Sequence, residues 1–157
     1  MSVALELVSR LSESREAFLR QALQVPNGLV TNRPRSHEWS VLEIVAHMSD
    51  VDSHYLKQAV AMRDGRDHLF IYFDDTRWKS EHPAILDTPW DEVLLRIRQS
   101  HARVLVTLSQ LTDSELARPG RHPRGIPYTV RDVFLRYPRH DQNHTEQIRT
   151  TLKRLGG

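Results

Sequence analysis

Three histidines carry the chemistry open to this chain: His47, in the stretch Trp39-Ser40-Val41-Leu42-Glu43-Ile44-Val45-Ala46-His47, and the pair His140 and His144. Each falls where a helical pattern wants an apolar residue, so each must find a buried hydrogen-bond partner or serve a site. A shared divalent ion satisfies all three at once. The chain contains no cysteine, so such an ion must take nitrogen and oxygen ligands. Spacing alone argues little, because nine histidines in 157 residues give about 0.5 His-x-x-x-His pairs by chance. Placement argues more. His140 and His144 continue a stripe with Val133, Tyr137, Ile148 and Leu152, which points them inward, and helical neighbours four apart can grip one ion from the same face. His47 lies between Ile44 and Val51 at the border of a buried stripe and can face a bundle axis. On the residues alone two readings stay open, a metal site or histidines satisfied in the core or at the surface.

The neighbouring polar residues divide in the same way. Glu43, His47, Asp50 and His54 form a line at helical spacing. His54 stands about 10 Å along the axis from His47, too far to share an ion easily, and reads as a surface residue. Glu43 belongs to a helix cap, with a supporting role at a metal site as the lesser option. His101, between Ile97 and Val104, is the main rival ligand and reads as a core histidine.

Four helices must position these groups. The first runs from about Val3 to Val25 on Leu5, Val8, Leu11, Phe18, Leu19 and Ala22, and Pro26-Asn27-Gly28 stops it. The second starts at a capping box, Ser40 with Glu43, with Trp39 placed to staple onto Ile44, and reaches Met62 or Arg63. The third opens at Thr88-Pro89, read as cap and first helical residue, and ends near Leu111. The fourth uses Thr129 and Asp132 as cap partners, sets Tyr128 against Val133 and runs to about Leu152. Pro138 falls inside it, where a kink is expected. Roughly 25 residues separate the second and third helices, long for a compact domain. They hold Phe70-Ile71-Tyr72-Phe73 and Trp78, which suit either a cover over one end of the bundle or a loop pinned by its aromatics. The prolines and glycines between Arg118 and Pro127 exclude regular structure there.

Length fits one domain spanning residues 1–157. The net charge of +2 gives no basic face for nucleic acid. No apolar run approaches a membrane span, and Glu6 and Arg10 stand too early for a signal-peptide core. A cytoplasmic protein is expected.

The combination of Trp39 to Met48 with Ile126-Pro127-Tyr128-Thr129-Val130-Arg131-Asp132-Val133-Phe134 and His140-Asp141-Gln142-Asn143-His144-Thr145-Glu146-Gln147-Ile148, in this order, resembles the DinB/YfiT family of metalloenzymes. The resemblance implies an all-α fold, an antiparallel four-helix bundle with one long crossover between helices 2 and 3. It also implies a divalent metal held by His47, His140 and His144, zinc first, with nickel, iron or manganese as alternatives. Some relatives use a low-molecular-weight thiol, and homodimers are expected. The implied function is a thiol-dependent transferase, or a hydrolase using metal-activated water, on a small electrophilic substrate. Arg77, Arg121 and Arg124 are candidates to recognise an anionic thiol cofactor. The competing expectation is a non-catalytic metal-binding or stress-related bundle acting through oligomerisation. Where some relatives carry a further histidine one turn before the pair, this chain has Arg136 and Tyr137. Tyr137 suits either a hydrogen-bond donor near the open metal position or, the preferred reading, core packing.

Overall fold

The computed structural model describes residues 2–65 and 67–156. Four long helices build the bundle: α1 (Val3–Leu23), α2 (Val41–Arg63), α4 (Trp90–Ser109) and α6 (Val130–Arg154). Between them lie the short helices α3 (Asp75–Glu81) and α5 (Asp113–Leu116), and the two-residue strands β1 (Pro119–Gly120) and β2 (Tyr128–Thr129). Side-chain caps fix most helix starts. Ser2 accepts from Leu5 N, and Ser40–Glu43 and Thr129–Asp132 form the expected capping boxes. The start of α4 falls one residue later than its sequence suggests. Pro89 is the cap residue and no side chain closes the turn, because Thr88 N is drawn into a preceding 3-10 turn by Ile85 O.

Two hydrophobic clusters set the helix directions. One end of the bundle collects Ala4, Leu7 and Leu11 from the start of α1, Val51 to Met62 from the end of α2, Val104 and Leu108 from the end of α4, and Val130 to Tyr137 from the start of α6. The other end collects Phe18 and Ala22, Val41 to Met48, Val93 and Ile97, and Ile148. Hence α1 runs parallel to α6 and α2 parallel to α4, and the two pairs oppose each other. The most extensive packing is α2 on α4 and α1 on α6, followed by α2 on α6, whereas α1 and α2 lie across the bundle from one another.

The long crossover follows from that arrangement. Parallel neighbours need a connection that returns the chain along its own length, and α2, with 23 residues, is about 35 Å long. The segment between α2 and α4, described over residues 64–65 and 67–89, makes that return. Phe70 packs in the first cluster and Trp78 in the second, with Phe73 touching both. The segment is therefore pinned along the bundle, and its middle coils into α3, capped by Asp74 accepting from Arg77 N.

Several sequence expectations are revised. Leu5 is exposed, and the buried stripe of α1 runs through Ala4, Leu7, Leu11, Arg15 and Phe18. The Pro- and Gly-rich stretch is not wholly irregular, since β1 pairs antiparallel with β2 and Leu69 bridges to Arg121. Gly120 lets this pairing close, because a Cβ there would run into the Met62 side chain. Helix α6 continues through the buried Pro138 to Arg154.

A buried ionic cluster crosses the bundle at its middle. Arg15, only 2% exposed, donates to both carboxylate oxygens of Asp52 at 2.8 Å and pairs with Asp141 at 3.0 Å. Ser100 on α4 donates to Asp52 at 2.6 Å, Ser14 donates to Asp141 at 3.1 Å, and the Tyr137 hydroxyl donates to Asp52 O at 2.7 Å. Burial would lower the Arg15 pKa, but the two carboxylates together raise it, so the guanidinium stays charged. All four long helices meet in this network.

Candidate metal centre

The first half of α2 is buried on every side from Val41 to Ser49. The linker after α1 closes over it, with Leu42 N donating to Val30 O at 2.8 Å, and the crossover covers the rest. His47 therefore sits in full burial, deeper than the stripe border its sequence implied. Its Nδ1 lies 2.6 Å from Ile44 O. A carbonyl can only accept, so Nδ1 carries the proton and Nε2 presents a lone pair. That Nε2 is buried and finds no hydrogen-bond partner among the described residues.

His140 and His144, one turn apart on α6 and half-buried, face it. Ring centroids are 4.7 Å apart for His47 and His144, 5.7 Å for His47 and His140, and 4.2 Å within the α6 pair. His144 Nδ1 is 2.6 Å from the Gln147 Oε1, which again leaves the lone pair on Nε2. His140 Nε2 stands 2.9 Å from His144 Nε2, a contact that needs one proton between them. One ligand nitrogen from each ring falls within 4.8 Å of the others. Two imidazole nitrogens on one tetrahedral zinc are about 3.3 Å apart, so the set fits a single ion after modest ring rotation.

Electrostatics keep these rings neutral. Burial, then the neighbouring His144, lowers His47 to about 3. Burial and the two other histidines, with Arg15 and Arg136 further off, lower His140 to about 2. Burial lowers His144 as well. Neutral imidazoles are the form that binds a metal.

Aromatic side chains wall the site. Trp39 meets the His47 ring edge-on at 4.8 Å and stacks on Trp78 at 5.5 Å, and Phe73 lies 6.1 Å from His47. Trp78 Nε1 donates to Asp50 at 2.6 Å, which ties the crossover to α2. A cavity of about 270 Å³ is lined by His140, Tyr55, Tyr128, Leu135, Arg136 and Arg139. Another of about 610 Å³ is lined by His144, Gln147, Trp39, Asp75 and Lys79.

Other residues singled out by sequence lie elsewhere. His54 joins no site, but it is half-buried and not a free surface residue: its Nε2 lies 2.7 Å from Ile71 O and pins the crossover. His101 stands apart near Arg15, with Nδ1 buried and unpartnered among the described residues and its pKa lowered to about 4 by burial. Glu43 closes its cap and takes two hydrogen bonds of 2.8 Å from Arg33. Arg77 pairs with Glu81 on α3 and Arg121 with Asp67, and neither they nor Arg124 line the two cavities at the histidines. Arg136 and Arg139 do. Sequence reading also passed over Asp75, whose Oδ1 is 3.6 Å from His47 Nε2. The Asp75 side chain is 57% exposed, and the burial of its inner part, then Asp74, raise its pKa. The one sequence signal for it is the Asp74-Asp75 start of a capped helix.

The DinB superfamily model matches residues 10–148. This chain belongs to the DinB superfamily. No curated protein matches the sequence. Among solved structures, YfiT from Bacillus subtilis, described as a probable metal-dependent hydrolase with an unusual four-helix bundle topology, superposes with a TM-score of 0.76 at 19% identity, covering 98% of this chain and 87% of that one. A mycothiol-dependent maleylpyruvate isomerase gives 0.75 at 13% identity over 92% of this chain, which spans only 60% of the isomerase. The four-helix bundle protein TT2238 gives 0.66 at 18% identity, covering 94% and 99%. At these identities the likeness is one of fold. Among the described residues no helix is long and apolar enough to cross a membrane.

Proposed function

We propose that this DinB protein is a metal-dependent enzyme in which His47, His140 and His144 hold one divalent ion and a small electrophilic substrate is attacked beside it. The observation that carries the reading is the buried, unpartnered Nε2 of His47, set in its ligand tautomer by Ile44 O and facing two further neutral imidazoles. An unpaired buried acceptor costs stability unless a site uses it. Three neutral nitrogens without a thiolate suit zinc, with nickel, iron or manganese as alternatives. When bound, such an ion lowers the pKa of water or of a thiol and polarises an acceptor oxygen.

The protein's own groups supply the rest. Trp39, Trp78 and Phe73 keep water from the His47 side. Asp75, with its raised pKa, is placed to take a proton from a nucleophile beside His47. Separate cavities on the His140 and His144 sides give room for two reactants, which supports thiol transfer alongside hydrolysis. A cytoplasmic location and a homodimer complete the proposal.

Metal analysis of protein purified without a histidine tag tests it. Near-stoichiometric metal, lost in His47→Ala and in His144→Ala, is the expected result. Fully folded wild-type protein that takes up no zinc, nickel, iron or manganese sinks the reading. A panel of electrophiles, assayed with and without small thiols, then separates transferase from hydrolase.

A further inference from the structure

Two polar atoms near the start of α6, Arg136 Nε and the Tyr128 hydroxyl, are buried and complete no hydrogen bond among the described residues. Both residues line the cavity of about 270 Å³ that His140 also lines. Arg136 stands one helical turn before His140, so the guanidinium and the imidazole project from the same side of the helix. Burial would lower the pKa of the guanidinium, but the neighbouring Tyr128 and Tyr55 hydroxyls raise it, and among the described residues it forms no ion pair with a carboxylate. Aromatic faces meet it instead, with Cζ 5.1 Å from the Tyr55 ring centre, 5.1 Å from Phe70 and 4.9 Å from Tyr72. Asp132, on the same cavity wall, is tied to the helix cap through one oxygen, Oδ2 accepting from Thr129 N at 2.7 Å and from its hydroxyl at 2.9 Å.

Cation–π contacts steady a guanidinium without using its N–H donors. A half-buried arginine so held keeps a planar fork of donors, and a carboxylate matches that fork with two parallel hydrogen bonds. We propose that Arg136, assisted by the Tyr128 hydroxyl, binds the carboxylate of a small monoanionic substrate and so aims its reactive part at His140. The proposal rests on the metal-enzyme reading only for what happens at His140. Tyr55, Tyr128 and Leu135 offer walls for an apolar body, and the Asp132 carboxylate disfavours a dianion such as phosphate. Exposed Arg139 adds attraction at longer range.

Calorimetric titration with benzoate, benzamide and inorganic phosphate, on metal-loaded and metal-free protein, tests the site. Benzoate is expected to bind at least tenfold more tightly than benzamide, and Arg136→Gln to weaken benzoate by about tenfold or more, the loss of a charge-assisted pair. Arg136→Lys, which keeps the charge but not the fork, should fall between. If Arg136→Gln fails to fold by circular dichroism, Tyr128→Phe carries the test with an expected loss of several-fold. Equal binding of benzamide, tighter binding of phosphate, or benzoate affinity indifferent to a folded Arg136→Gln or Tyr128→Phe variant overturns the proposal. Benzoate affinity that survives metal removal supports it, while affinity that disappears with the metal and ignores Arg136 marks the carboxylate as a metal ligand and overturns it. A protein that takes up no metal yet binds benzoate through Arg136 defeats the enzyme reading and leaves this site standing.

Discussion

Buried His47 and half-buried His101 each leave a buried nitrogen unpartnered among the described residues, yet their surroundings assign them different work. His47 faces two more neutral imidazoles, so its lone pair joins a set. His101 faces Arg15 and Asp52, and burial reinforced by the Arg15 charge outweighs the Asp52 carboxylate and lowers its pKa to about 4. The sign of the pH dependence follows. Above about pH 6.5 the ring is neutral in both folded and unfolded chains. As the pH falls from there toward 4, the unfolded chain takes up a proton that the folded one refuses, and stability is lost. His101→Asn should therefore lose less stability than wild type between pH 7 and pH 5, measured by urea midpoints on metal-free protein; equal losses would contradict it. Ser40→Ala removes the acceptor for Glu43 N and should cost about 1 kcal/mol, read from the same unfolding curves.

Among the elements, α1 and α6 are joined to α2 and α4 by charge as well as by apolar contact. Arg15→Ala leaves Asp52 and Asp141 buried without their counter-ion and should destabilise by about 3–5 kcal/mol. Adding Asp52→Asn and Asp141→Asn should recover much of that loss, since it removes the uncompensated charges; urea denaturation of the single and triple variants checks both statements. The limits of sequence reading lie at this scale. Ser40 with Glu43 and Thr129 with Asp132 announce helix starts locally, and the structure places both as their spacing implies. Helices α3 and α5 were hidden because 7 and 4 residues are too few to show a period. The β1–β2 pair was hidden because its prolines and glycines read as breakers. The three histidines were legible as an inward set. The burial of His47 on all sides, the approach of Asp75, and the aromatic faces around Arg136 depend on where the crossover runs, which no local spacing encodes.

At the scale of the molecule, the pairing of helices constrains how it can be assembled. The substantial contacts between long helices are α2 with α4, α1 with α6, α2 with α6 and α1 with α4. Each joins one residue range before the α3–α4 turn to one after it. Cutting the chain at the exposed Pro83–Ala84 turn would give one half holding α1, α2 and His47, and another holding α4, α6, His140 and His144. Neither half keeps a long-helix partner of its own, so each alone should be largely unfolded by circular dichroism, and mixing them should restore helicity together with the histidine cluster. A half that folds by itself would show that the diagonal helices can pack without their neighbours. The diagonal placement of consecutive helices thus divides the protein like a two-piece lock: the histidine cluster draws His47 from one half and His140 and His144 from the other, so it exists only where the two halves meet.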